Sequence, residues 1–207
     1  MNSKKLLNFS ETFIKAELIM NVRDYKIEQR TVLINSSGEE IIIGDKKLAP
    51  WQSINCMNLI VPNAKSLLCL SLDTNKEIYC DFPFVQQVIN KWSHVYDIFP
   101  LPHLKKTNLW RSKKDRIQDV EFNLWFAKTN TNCGLHNEHG FKEIHTQIYG
   151  IGRMQKYHSN NFDSLYEDVF MCPGFTHQPF YDEKLNYPWH QYFADTDCVW
   201  LAMEFPV

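Results

Sequence analysis

Gly134-Leu-His-Asn-Glu-His-Gly-Phe-Lys-Glu-Ile-His-Thr-Gln-Ile-Tyr-Gly150 is the stretch on which the reading of this chain turns. It carries three of the eight histidines, and a carboxylate, Glu143, stands between His139 and His145. If the second half of the stretch is a strand, Glu143, His145, Gln147 and Tyr149 share one face. Burying such a row without partners would cost several kcal/mol in all, a penalty that a metal or a bound polar ligand removes. Gly140 permits a turn or bulge that brings His139 toward Glu143. A fourth histidine follows in Cys172-Pro-Gly-Phe-Thr-His177, where the Pro-Gly turn can swing His177 to the same point. Neutral imidazoles and a carboxylate in a β-rich setting point to a metal site.

The surrounding pattern is that of short strands. Residues 26–35, 39–44, 55–61, 66–72 and 77–81 are apolar or β-branched runs. Ser37-Gly38, Asp45, Pro62-Asn63 and Asp73-Thr-Asn75 punctuate them. Further strands are expected at 119–127, 141–149, 153–157, 165–171 and 198–205. Two helices interrupt the pattern. Residues 11–21 read as a short amphipathic helix with Ser10 as its cap. Residues 83–99 place Phe84, Val88, Trp92 and Val95/Tyr96 on one face, and Pro100 and Pro102 end that helix. The fold class expected is mainly β, a barrel or sandwich. An N-terminal β-rich region, 1–117, packs on or completes a metal-binding barrel at 118–207.

Composition narrows the function. The chain has 207 residues, 44% apolar and 14% aromatic, which suits a substantial core. A net charge of −2 gives no general reason to expect nucleic acid or an anionic membrane as partner. The basic run around Trp110 (Lys105, Lys106, Arg111, Lys113, Lys114, Arg116) reads as a solvated loop or as a rim that attracts an anionic substrate. No apolar run approaches the roughly 20 residues of a membrane span, and no secretory signal is visible, so a soluble cytoplasmic protein is expected. The six cysteines are scattered without a CxxC pair and read as reduced, buried thiols. No P-loop, G-x-S-x-G or G-x-G-x-x-G motif is present.

At the histidine stretch the sequence resembles the cupin superfamily. In that family's first motif, G-x5-H-x-H-x(3,4)-E-x6-G, His139, Glu143 and Gly150 match, whereas the first histidine falls at Asn137, with His136 beside it as a substitute. In the second motif, G-x5-P-x-G-x2-H-x3-N, Gly174 and His177 match, Pro173 is displaced by one, and Tyr181 stands in place of the asparagine. The resemblance covers about residues 119–205 and implies a double-stranded β-helix, or jelly-roll, barrel. It implies His139, Glu143 and His177 as metal ligands, with His136 a possible fourth. Two histidines and one carboxylate suit non-haem Fe(II) and leave positions open for substrate and O2. An Fe(II) oxygenase or oxidase acting on a small polar metabolite is therefore expected. The alternatives are an isomerase, epimerase or lyase using Zn, Mn or Ni, or a non-enzymatic binding protein. His145 and Tyr157 are the candidate proton-moving groups, and Gln147, Arg153 and His190 the candidate substrate contacts. Arg153, Gln155 and Tyr157 alternate on one strand and face either the pocket or an ordinary wet sheet face. A homodimer is expected, paired through the extra N-terminal strands.

Overall fold

The computed structural model describes residues 2–72 and 82–207. By their mutual contacts these form two units: one of the described residues up to 84 with 173–176, the other of residues 85–172 with 177–207. The strand expected at 77–81 lies outside the described residues. No helix among the described residues is long and apolar enough to cross a membrane.

The N-terminal unit contains β1 (Ser3–Leu6), β2 (Ile14–Ile27), β3 (Thr31–Asn35), β4 (Ile41–Ile43), β5 (Lys46–Leu48), β6 (Ser53–Cys56) and β7 (Leu59–Leu72). Its antiparallel sheet runs β1-β2-β7-β3-β6, with β4 and β5 a separate hairpin. The helix expected at 11–21 is instead the start of β2. There Ile14, Ala16 and Leu18 are buried while Lys15 is exposed, a period of two, and the long pairing with β7 outweighs local helical preference. Ser10 still serves the chain end, its Oγ accepting from the Ala16 N–H at 3.1 Å. Pro62 does not break β7 as expected. It lies beyond the reach of β3, which pairs only with residues 67–70 of β7, so no ladder donor is needed on that side. Ile19, Val22, Leu33, Val61 and Leu67 form this unit's core with Ile41 and Ile43 of the hairpin.

Helix α1 (Phe82–Lys91) precedes β8 (Ser93–His94) and the single turn α2 (Val95–Ile98). The apolar stripe expected there is buried at Val88, Trp92 and Val95. The helix itself breaks at 93–94, where the chain pairs with β9 (Leu109–Arg111), and His94 Nδ1 caps α2 by accepting from the Tyr96 N–H. The other strands are β10 (Asp115–Ile117), β11 (Val120–Ala127), β12 (Thr131–Asn132), β13 (Lys142–Tyr149), β14 (Gly152–Tyr157), β15 (Leu165–Met171), β16 (Trp189–Ala194) and β17 (Cys198–Phe205). With β9 hydrogen-bonded to β11, residues 85–117 group by their contacts with this unit and not with the N-terminal one, whereas the expected boundary lay at 117/118.

Two antiparallel sheets make up this unit: β13-β17-β11-β9-β8 and β12-β16-β14-β15. The chain passes between them in jelly-roll fashion rather than closing a barrel. One core cluster draws Ala127, Cys198 and Trp200 from the first sheet and Met154, Met171, Tyr192 and Ala194 from the second. Tyr192 stacks on Trp200 at 3.9 Å between ring centroids, a contact worth about 0.5–1.5 kcal/mol beyond area burial. Two glycines make the turn between β13 and β14 possible. Gly150 sits at φ 69°, and a Cβ there would meet the Asp197 carbonyl at 2.1 Å. A Cβ at Gly152 would lie 2.0 Å from the Tyr192 hydroxyl.

Candidate metal centre

Strand β16 and the loop before β13 bring the histidines together. His136 and His190 form an isolated antiparallel bridge, each backbone N–H donating to the other's carbonyl, at 3.0 and 2.8 Å. Residues so paired project side chains to the same face. Three residues later the chain, relaxed by Gly140, returns His139 to that face. One ring nitrogen of each of His136, His139 and His190 lies within 4.8 Å of the others. His139 Nε2 and His190 Nε2 are 3.0 Å apart.

The outer nitrogens fix the tautomers of His136 and His190. His190 Nδ1 lies 2.8 Å from the Pro188 carbonyl and His136 Nδ1 2.9 Å from the Gly134 carbonyl. A carbonyl only accepts, so each Nδ1 carries the hydrogen and each Nε2 presents a lone pair. His139 Nδ1 faces the Glu143 carboxylate at 3.8 Å, which favours the same tautomer. Without a metal, His139 Nε2 can donate to His190 Nε2; with the His139 hydrogen on Nδ1 toward Glu143, three lone pairs converge and a cation offsets their repulsion. The 3.0 Å spacing is also short enough for both nitrogens to share one metal ion. The residues therefore fit a divalent metal, with carbonyl or carboxylate support behind each imidazole.

Burial lowers the His190 ring to about 3, with His136 adding to the effect. Burial likewise lowers His139 to about 4, against the pull of Glu143. Phe180 and Tyr187 supply much of the dry wall: Phe180 stands 4.9 Å from His190, and Tyr187 4.4 Å from His139. The rings are thus neutral near pH 7, the form a metal binds.

Glu143 spans two histidines. One oxygen faces His139 and the other lies 3.2 Å from His145 Nε2. Burial pushes the carboxyl up, but His145 foremost, with His139 and His136, overcomes this and lowers it to about 2. Its backbone N–H donates to the Tyr187 hydroxyl, which itself donates to the Phe141 carbonyl. Because the carboxylate only accepts, His145 Nε2 carries the hydrogen, and Nδ1 is left as a buried acceptor without a partner.

The fold gathers a different set from His139, Glu143 and His177. His177 has both ring nitrogens engaged: Nε2 accepts from the His145 backbone N–H at 2.9 Å and Nδ1 lies 2.8 Å from the Gln178 carbonyl. It is a buried brace. His190, expected as a substrate contact, stands in the three-histidine group, and His136 joins it. Glu143, His145 and Gln147 do share one face, but Gln147 is occupied. Its Oε1 accepts from the Tyr192 hydroxyl and its Nε2 donates to the Tyr149 carbonyl.

Arg153 and Tyr157 lie on the face of β14 opposite to His190. Arg153 pairs across with Phe193, Gln155 with Gln191 and Tyr157 with Trp189, whereas His190 is paired with Lys156 and Tyr192 with Met154. Asp195 and Asp168 engage Arg153, and Tyr157 donates to Gln155 while accepting from Gln191. The alternation that left their direction open is settled by the register of β16, a strand absent from the expected set. Tyr187 and Phe180 carried no motif signal beyond their place shortly before His190. Cys133 is a half-buried thiol whose ionisation burial pushes well up, and Cys172 is exposed.

No protein-family model matches the sequence, and no curated protein matches it. Solved structures similar to the chain include an RmlC-like cupin from Desulfovibrio desulfuricans, 13% identical over 48% of this chain and 85% of that one, with a TM-score of 0.36. A cupin superfamily protein from Desulfitobacterium hafniense is 9% identical over 53% and 90%, with a TM-score of 0.37. A cupin domain from Bordetella pertussis is 13% identical over 50% and 98%, with a TM-score of 0.36. These likenesses take in about half of the chain and carry no weight for its chemistry; what they share by description is the cupin fold.

Proposed function

We propose that this chain is a metal-dependent enzyme in which His136, His139 and His190 hold a divalent cation and the Glu143–His145 pair moves a proton of a small polar substrate. The observation that carries this reading is the convergence of three imidazole nitrogens beside a histidine–carboxylate pair whose outer nitrogen is free. When bound, the metal would supply Lewis-acid polarisation of a substrate carbonyl. Three imidazoles leave coordination positions for such a carbonyl and suit Zn, Fe, Cu or Ni alike. His145 is held in one tautomer by Glu143 and offers Nδ1 as the base. Tyr187, tilted against His139, helps to keep water from the ligands. An isomerase, epimerase or lyase reaction follows from a base placed in this way. The Fe(II) oxygenase expected from the sequence drew on a facial triad that included His177, whose ring nitrogens are both engaged.

The test is deuterium exchange. Protein loaded with Zn, Mn, Ni or Fe(II) is incubated in D2O with a panel of hydroxy and keto acids and followed by NMR, with an oxygen electrode in parallel. Metal-dependent deuteration beside the carbonyl, lost in His145→Ala with metal retained, is expected. Oxygen uptake without exchange would replace this reading with the oxygenase one.

A further inference from the structure

The sheet face that carries Glu143 and His145 holds three buried polar atoms without a hydrogen-bond partner: Arg111 Nε, Asn123 Oδ1 and His145 Nδ1. The register places them together. His145 and Asn123 both stand opposite Ala202, on either side of the central strand β17. Their backbones are therefore about 10 Å apart, two strand spacings, with only a methyl group between them. In the next row Trp200 stands opposite Trp125, and Trp125 opposite Arg111. Arg111 is thus a diagonal neighbour of Asn123, roughly 7–8 Å away. Orphaned buried polar atoms are few in native proteins, and three on one face call for an explanation.

The chemistry of each atom is set by its neighbours. Asn123 Nδ2 donates to Glu204 Oε1 at 2.8 Å, so the amide orientation is fixed and Oδ1 is the atom left to accept. Glu204 is also held by Lys114 at 2.6 Å, so it does not turn to Arg111. With Nε2 carrying its hydrogen toward Glu143, Nδ1 of the neutral His145 ring is an acceptor. Arg111 Nε is a donor on a cation whose guanidinium lies 5.6 Å from both the Phe99 and Trp125 rings. Trp125 and Trp200 are parallel within 10°, and Tyr192 continues the stack. The face thus presents two unpartnered acceptors on either side of Ala202, an aromatic wall, and a cation beside them.

We infer that this face is a recognition site for a small polyhydroxylated carboxylate, with a hydroxyl donating to Asn123 Oδ1, the exchangeable hydrogen presented to His145 Nδ1, its carboxylate on Arg111, and its remaining carbon-bound hydrogens against Trp125 and Trp200. Acceptors select hydroxyl donors, and a desolvated guanidinium selects an anion. The inference rests on the proposed function in taking this face as the reaction chamber, and it supplies the substrate class.

The probes are D-gluconate, D-galactonate and glycerate, with sorbitol (hydroxyls without charge) and hexanoate (charge without hydroxyls) as controls. Binding is measured by calorimetry and by tryptophan fluorescence, on metal-free and on Zn-saturated protein, with zinc stoichiometry determined separately. The expected result is that at least one hydroxy acid binds ten-fold or more tighter than both controls. Arg111→Met should remove its advantage over sorbitol, and Asn123→Ser its advantage over hexanoate. Thermal melts check that both variants are folded before their binding is compared. Failure of all three hydroxy acids to exceed the controls in both forms overturns the inference even if zinc binds. So does a preference that survives both folded variants. A hydroxy-acid preference in a protein that takes up no zinc leaves this site standing and removes the metal reading instead.

Discussion

Gly152→Ala is a one-methyl change whose consequence follows from the contacts around Tyr192. The new Cβ would lie 2.0 Å from the Tyr192 hydroxyl and 2.3 Å from its Cζ, so the ring must move. It has nowhere easy to go. Tyr192 is 3% exposed, stacks on Trp200, and donates its hydroxyl to Gln147 Oε1. Forcing a methyl into a packed core costs about 1–3 kcal/mol, and leaving Gln147 Oε1 unsatisfied adds about 1–3 kcal/mol. The sum, about 2–6 kcal/mol, corresponds to a fall in Tm of roughly 4–24 °C for a chain of this size. The assay is a thermal melt of the wild type, Gly152→Ala, Tyr192→Ala and the double variant. In the double variant the glycine change should add almost nothing, because the ring it displaces is gone. A Gly152→Ala protein melting within about 2 °C of wild type, or an undiminished penalty in the Tyr192→Ala background, would refute the packing between β14 and β16 on which the site is built.

Other outcomes follow from the same geometry. Arg153→Ala should lower stability by about 1 kcal/mol, as befits part-exposed ion pairs with Asp195 and Asp168. It should leave metal uptake and ligand binding unchanged, which parallel denaturation and calorimetry would check. In metal-free protein, stability should fall as pH drops from 6.5. His139, His177 and His190 resist protonation down to about 4, 3 and 3, while the unfolded chain takes up protons near 6.5. Each contributes up to about 1.4 kcal/mol per pH unit. Glu143 acts in the same direction only below its unfolded value near 4.5, so a Tm that stays flat from pH 7 to pH 5 would contradict the buried, neutral state of these rings. His177→Ala should destabilise by about 1–3 kcal/mol by orphaning the His145 N–H, yet keep the wild-type metal stoichiometry.

Much of the strand pattern was legible in the residues themselves. The runs at 141–149, 153–157, 165–171 and 198–205 became β13, β14, β15 and β17 within a residue or so at each end. The shared face of Glu143, His145 and Gln147 followed from alternation alone. Three things were not legible. The strand at 189–194 reads as aromatic and polar without clean alternation, because both of its faces are buried. Without it, His190 could not be placed beside His136. The role of His177 depended on a backbone N–H two strands away, which no spacing reveals. The recognition face was hidden because Arg111, Asn123 and His145 come from three separate strands, and only their common register across β17 and β11 assembles them. At 11–21 an amphipathic stretch suited helix locally, and non-local pairing with β7 decided otherwise.

Titration of metal-free protein with Co(II) and Zn(II), read by visible absorption and by metal analysis, tests the central claim most directly. One equivalent per chain should bind, with a cobalt spectrum typical of nitrogen ligands. His139→Ala and His190→Ala should each abolish that uptake, and His136→Ala should weaken it, while His177→Ala and Arg153→Ala retain it. Absence of stoichiometric binding in the wild type, or full binding in His139→Ala and His190→Ala, would contradict the three-histidine centre.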